Sequence, residues 1–388
     1  MTATTSGSSG LDAVYLDFNA TTPIRPEVLD AMLPYLRDGF GNPSSDHARG
    51  LLARDAIERA RSQVASLIGA APDEIVFTSC ATESSNLAIR GVAAARPAPG
   101  RVVTTTIEHP ATIGPCAALE ELGWTVSRVA PQHNGILDPA DIDRALGADV
   151  ALVTLIHAHN EIGTLQPVGE ITRRAHAHGA LVHTDAAQSV GKVAVRVDEL
   201  GVDLLTIAGH KLYAPKGVGA LYVRRGTTIR PVLRGAGQEH GLRPGTENVA
   251  LIVALGCACE VAAARLAEDG ARIRALRDEL WRKLQASVPQ IALNGDFESR
   301  LPNTLSVRFP GATGAAVLAA AREVAASTGS ACHSGEMKPS DAVVQLGVDP
   351  ATALGTVRLS LGVTTRAEDI ARAADALASA WRGLTNPR

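Results

Sequence analysis

The sequence predicts an α/β protein with a mostly parallel, buried sheet of seven strands, followed by a smaller α+β C-terminal domain. Three observations lead there. Seven short apolar runs rich in Val and Ile occur in the middle of the chain: "EIVFTS", "RVVTTT", "WTVSRVA", "DVALVTLIH", "ALVHTDA", "VDLLTIA" and "VGALYVRR". Amphipathic stretches such as "PVGEITRRAHAHGA" fall between several of them, the alternation of a sheet whose faces are covered by helices. After about Asn248 the character changes to one long Ala/Leu/Arg-rich stretch and then to short strand signals.

The first ten residues, "MTATTSGSSG", are small and polar and lack the basic start and apolar core of a secretion signal. Residues 1–12 are therefore expected to form a disordered tail, and the cytoplasm is the expected compartment. "RPEVLDAMLPYLRDGF" and the stretch from Asp46 to Ile68 read as helices. The seven runs read as strands. Only the short loop around Lys211 joins the last two, so an antiparallel pairing is expected there. "ALIVALGCACEVAAARLAEDGARIRALRDELWRKLQASV" reads as one helix, "NTLSVRF" and "TVRLSLG" as strands, and "RAEDIARAADALASAWRGL" as a closing helix. The division is a large domain over 13–250, whose N-terminal helices could pack on the small domain, and a small domain over 251–388.

The chain has 388 residues, a net charge of −3 and 46% hydrophobic residues, which suits a globular protein of two or more domains. Near-neutral charge gives no electrostatic case for nucleic acid or membrane binding. No apolar run reads as long enough to span a bilayer. The cysteines are Cys80, Cys116, Cys257, Cys259 and Cys332. An odd, scattered set argues against a disulfide framework, and each is by default a small buried apolar residue.

Three stretches carry chemistry. In "TIAGHKLYAPKGVGAL" an apolar strand delivers His210 and Lys211 into a glycine-rich turn. A lysine there is either solvated or a nucleophile whose amine is kept neutral by burial or a neighbouring cation. In "LVHTDAAQSVGK" a strand ends on Asp185, with Gln188 just beyond. Ligand sites of parallel sheets lie at the carboxyl ends of strands, and an aspartate there could hold a protonated pyridine nitrogen. Its alternative is to cap the next helix. In "FTSCATESSNLAIRG" a strand runs through a polar turn into a helix whose first N–H groups, with Thr82, could bind a phosphate.

Taken together, these stretches and "YLDFNATTP", "GNPSSDHARG", "TTTIEHPA", "HNEIGTLQPV", "LRPGTENV" and "STGSACHSGEMKPSDAV" resemble the cysteine desulfurases, pyridoxal-phosphate enzymes of the class V aminotransferase-like family. The resemblance extends from Tyr15 to about Thr365. It implies the fold type I architecture of pyridoxal-phosphate-dependent aminotransferases and assembly as a homodimer. It implies that Lys211 links covalently to pyridoxal 5′-phosphate, Asp185 pairs with the ring nitrogen and Gln188 bonds the phenolic oxygen. His109 stacks on the ring and takes part in proton transfer. Ala81, Thr82 and His210 bind the phosphate, joined by Thr246 from a second subunit. Asn160 and Arg358 hold the substrate carboxylate. Cys332, in a stretch of small residues, is the nucleophile that takes sulfur from L-cysteine as a persulfide, releases L-alanine and passes the sulfur to an acceptor protein. These residues do not specify the acceptor: an iron–sulfur scaffold, a tRNA- or DNA-modifying system and a biosynthetic carrier all remain open.

Four positions depart from the family pattern: Cys80, His159, Ala208 and His240. Selenocysteine lyase and other carbon–sulfur or carbon–selenium lyases share the motifs and are the nearest alternatives. A metal-binding scaffold using His157, His159, His176 and His178 is a remote one, since no C-x-x-C pair or H-E-x-x-H motif supports a metal.

Overall fold

The computed structural model describes residues 12–329 and 338–386. Cys332 therefore lies outside the described residues. Among the described residues the strands are β1 (Val14–Tyr15), β2 (Ile75–Thr78), β3 (Arg101–Thr105), β4 (Thr125–Val129), β5 (Val150–Ile156), β6 (Leu181–Asp185), β7 (Leu204–Ala208), β8 (Gly219–Val223), β9 (Ala292–Leu293), β10 (Thr304–Arg308), β11 (Val324–Ala325) and β12 (Thr356–Ser360). All seven apolar runs form one seven-stranded sheet in the order β2-β8-β7-β6-β5-β3-β4. The last run, β8, pairs antiparallel with both β7 and β2, and the other pairings are parallel. The carboxyl ends of β2, β3, β5, β6 and β7 thus share one edge.

Helices α1 (Pro26–Arg37), α2 (Ala48–Ile68), α3 (Ala81–Ala95), α4 (Pro110–Glu121), α5 (Pro139–Ala145), α6 (Val168–Ala177), α7 (Val197–Leu200) and α8 (Val249–Ser287) follow in chain order. Side chains of α1 and α2, such as Val28, Met32, Ile57 and Val64, join the core under the large sheet. The small domain packs the antiparallel sheet β12-β10-β9 and the C-terminal helix Ala367–Thr385 around Leu305, Val307, Val357, Leu359 and Leu377.

Helix α8 belongs to both cores. Its first turns bury Ile252, Leu255 and Cys259 against the large sheet, and its later turns bury Ile273, Leu280 and Leu284 in the small domain. The expectation that no apolar run could span a bilayer fails on length and composition, because α8 passes that test. Half of its apolar stretch is buried within the protein, among the α1 and α2 side chains, which is the environment of a core helix. The N-terminal segment crosses between domains. Leu16 enters the small core, and β1 pairs parallel with β11.

Candidate active site

The shared strand edge opens into a cavity of about 330 Å³, in the range of small-molecule sites. Its lining includes Lys211, Asp185, Gln188, His109, Ala81, Thr82, His210, Asn160 and Arg358. Nine residues named from the sequence therefore converge. Eight of them come from five strand ends, Ala81 and Thr82 after β2, His109 after β3, Asn160 after β5, Asp185 and Gln188 at β6, and His210 and Lys211 after β7, and Arg358 comes from within β12.

Lys211 ends a single 3-10 turn, Gly209–Lys211. The turn is possible because a side chain on Gly209 would collide with the Val218 carbonyl, and β8 leaves at once beside it. Tyr213 then adopts a left-handed φ of 64°, held by its N–H to Thr22 Oγ1 at 3.0 Å and its hydroxyl accepting from Val363 N at 3.0 Å. The Lys211 amine donates to the carbonyls of Asn19 and Ala20 at 2.6 and 2.7 Å. Burial and then Arg358 lower its pKa to about 8, against the opposing pull of Asp17 and Asp185.

Asp185 is buried, and its Oδ1 accepts from Ala187 N at 3.0 Å. Burial raises its pKa, while Ala187 N–H, His109 and Lys211 act the other way. No ion pair to this carboxylate is found among the described residues. His109 is the N-cap of α4 and its Nδ1 accepts from Ala111 N at 3.1 Å, which leaves the proton on Nε2. Burial lowers its pKa, so the ring is held neutral. At the other end of the cavity, Cys80 is the N-cap of α3 and supplies no side-chain cap. The first-turn N–H groups at Ala81 and Thr82 therefore stand open to an anion. His210 Nδ1 meets Thr21 Oγ1 at 3.3 Å, and burial, then Lys211, push its pKa down to about 4.

Arg358 sits within β12, buried rather than on a solvated face. It donates to Asp17 Oδ1 at 2.7 Å and the Asn160 carbonyl at 3.2 Å, while its buried Nε has no hydrogen-bond partner among the described residues. Thr246 is exposed and does not line the cavity of this chain.

The departures fall into two sets. Cys80 and Ala208 line the cavity. Cys80 and Cys257 are only partly buried, unlike Cys116 and Cys259, so burial is not the rule for every cysteine. His159 lies behind the site: its Nδ1 accepts from Glu161 N at 3.0 Å and Ile162 N at 3.3 Å, and burial drives its pKa to about 3. His240 stands in a left-handed turn away from the cavity. The histidines considered for a metal each have their own protein partner: His157 with Ser189, His176 with Asp203 and His178 with Asp143. Among the described residues no cluster of three or more His, Cys, Asp or Glu could hold a metal ion.

Sequence reasoning missed the groups that hold this site together. Asn19 is fully buried beneath it and has every polar atom paired. Its backbone carbonyl accepts from Lys211 and Gln188, its Nδ2 donates to Asn160 O and Thr304 Oγ1, and its Oδ1 accepts from Lys192 and Asn303. Asp17 holds Arg358. Glu108, beside His109, is buried with its pKa raised by burial to about 8, and its Oε2 has no partner among the described residues. The only sequence signal was that Asp17 and Asn19 lie inside the "YLDFNATTP" stretch.

With this geometry in place, comparison with known proteins decides the family. The aminotransferase class-V family model matches residues 14–373. The chain is 44% identical over 367 residues to the cysteine desulfurase IscS of Dictyoglomus turgidum, covering 94% of this chain and 93% of the relative. This chain belongs to the cysteine desulfurase family. Among solved structures, a NifS-like protein superposes with a TM-score of 0.89 at 35% identity, covering 95% of this chain and 98% of the other. SspA, solved in complex with cysteine, superposes with a TM-score of 0.81 at 36% identity, covering 89% and 98%. The family is pyridoxal-phosphate-dependent, and its fold is the aminotransferase fold expected from the strand pattern.

Proposed function

We propose that this chain uses the cavity around Lys211 to convert L-cysteine to L-alanine, with pyridoxal 5′-phosphate as cofactor and Cys332 as sulfur acceptor. The observation that carries the reading is the pair of unmatched groups there: a buried carboxyl at Asp185 without a cation, and a lysine amine with its pKa lowered to about 8. A pyridine nitrogen and an aldehyde are the complements those two groups lack. The open first turn of α3 fits the phosphate. The relative solved with cysteine supports L-cysteine as the substrate class.

Bound there, pyridoxal phosphate supplies the electron sink for the pair left when the substrate's α-proton departs. Lys211 would anchor the cofactor and then, released as a neutral amine, take that proton. The Asn19 and Ala20 carbonyls orient the amine and accept from its protonated form. Arg358, which lines the cavity, would bind the substrate carboxylate, with Asp17 and the Asn160 carbonyl fixing the guanidinium plane. Neutral His109, its Nε2 protonated, is suited to carry a proton in either direction. The Cys332 thiolate attacks the substrate's sulfur. A sulfur–sulfur bond forms as the carbon–sulfur bond breaks, the carbon side keeps that electron pair, and protonation yields alanine. Residues 13–250 would supply the cofactor groups and 251–388 would supply Arg358 and Cys332, in a homodimer that brings Thr246 to the neighbouring site. A cytoplasmic location and a protein acceptor for the persulfide complete the reading.

The test is alanine and sulfide release from L-cysteine with a thiol reductant. Wild type should release both. Cys332→Ser should release neither while keeping the yellow cofactor. Equal turnover by the two proteins would remove Cys332 from the mechanism.

A further inference from the structure

Lys192 is a half-buried lysine that the reaction does not use. It lies outside the cavity, on the far side of Gln188, and borders a separate interdomain pocket with Arg25, Tyr213, Asp269 and Asn303. Its amine donates to Gln188 Oε1 at 2.7 Å and Asn19 Oδ1 at 3.1 Å. Gln188 Nε2 in turn donates to the Asn19 carbonyl at 3.0 Å. A lysine amine is the donor in both of its contacts, and a backbone carbonyl only accepts. The Gln188 amide is therefore specified twice. Turning it over would set donor against donor at Lys192 and carbonyl against carbonyl at Asn19. One Nε2–H is spent on Asn19, and the second remains for the cavity that Gln188 lines.

We propose that Lys192 is a positioning residue: by fixing the Gln188 amide it ensures that an N–H, and not the carbonyl, is offered to the ring oxygen of the cofactor. This rests on the reading that pyridoxal phosphate binds in this cavity with that oxygen toward Gln188. An N–H donor stabilises the ionised ring oxygen, and so favours loss of the proton that this oxygen shares with the cofactor–lysine link. The charges reaching Lys192 are Lys211 and Arg358, both cationic, with Arg25, Arg265 and Asp269 across the interdomain pocket. None of these can fix an amide, so the orientation rests on the two hydrogen bonds of Gln188, one from Lys192 and one to the Asn19 carbonyl.

The experiment is a pH titration of the visible absorption of the cofactor-loaded enzyme, without substrate. Lys192→Met should raise the midpoint by about one pH unit, a tenfold change in the equilibrium, as expected for a lost hydrogen bond to a charged group. Gln188→Ala should raise it equally, and the double variant no further. Lys192→Arg, which retains donors, should return it toward wild type. Should Lys192→Met not fold, Lys192→Gln serves instead, since its amide falls short of Gln188 and the same rise is expected. A purely structural lysine would lower the melting temperature and leave the midpoint unmoved, and that result overturns the proposal. If Gln188→Ala also leaves the midpoint unmoved, the placement of the cofactor against Gln188 is wrong and the proposal falls with it. If the wild type acquires no visible band, the cofactor reading itself has failed.

Discussion

Two buried polar clusters sit at the edges of the same sheet and behave oppositely. Beneath β2, Arg61 makes a two-pronged pair with Glu239, both bonds 2.8 Å, stacks over Phe77 at 4.8 Å and donates to the Ile75 carbonyl. Glu239 accepts in addition from Phe77 N at 2.6 Å. Charge answers charge, and although burial disfavours the Arg61 cation, Glu239 more than restores it. Around Lys211 the accounts are left open. A carboxyl, a lysine and an arginine are gathered, yet the carboxyl is pushed toward its neutral form and Lys211 toward its own. The first arrangement holds a fold together. The second is held in place by the fold and is completed by a ligand.

Substitutions separate the two. The largest effect on activity is expected from Lys211→Ala: alanine formation from L-cysteine should fall by at least about 10²–10⁴-fold, the range of a lost proton-transfer group. Urea unfolding of the cofactor-free protein at neutral pH should show no loss of stability, because an amine whose pKa is held down at about 8 costs the folded chain there. Glu239→Ala should do the reverse at the other cluster. It strands the Arg61 charge and should cost about 3–5 kcal/mol in urea unfolding. A small loss there would mean that water reaches Arg61.

Acidity sharpens the contrast. Lys211 must be neutral to take a proton, so single-turnover rates should climb as pH rises through about 8 and level off above it. The same depressed pKa makes the cofactor-free protein gain stability between about 8 and the ordinary lysine value of 10.5, since the unfolded chain binds the extra proton there. Lys211→Ala should flatten that rise in urea-unfolding measurements across the range.

The smallest effect is expected at Glu108. Its folded pKa of about 8 lies above the ordinary 4.5, so the folded state binds more protons than the unfolded one between those values. Its contribution is complete below about 4.5 and is lost as pH rises through 8. Glu108→Gln, which mimics the neutral acid, should remove that slope and leave the protein more stable at pH 8 by thermal unfolding. A loss of stability there would show that the ionised carboxylate is the native form.

The sheet was legible in the sequence because each of its strands is an apolar run bounded by polar turns, and burial on both faces leaves that mark. The reacting groups were legible because Asp185 and Lys211 sit one step beyond such runs, where a parallel sheet places its ligands. The supporting groups were not. Arg358 meets Asp17 across 341 positions of chain, and Asn303 meets Asn19 across 284, and no local periodicity encodes either contact. Lys192 gave one unused signal, a lone lysine in the otherwise apolar "SVGKVAV". Helix α8 misled for the opposite reason: a helix threaded through two cores carries more apolar residues than a surface helix does.

The central claim is that the open cluster is a cofactor site anchored on one lysine, and the chain has only five: Lys192, Lys211, Lys216, Lys283 and Lys338. The most direct measurement is to load the protein with pyridoxal phosphate, reduce with borohydride and map the labelled peptide by mass spectrometry. Stoichiometric label on Lys211 alone is the predicted result. Label on Lys192 or Lys216, or none on any lysine, would contradict it.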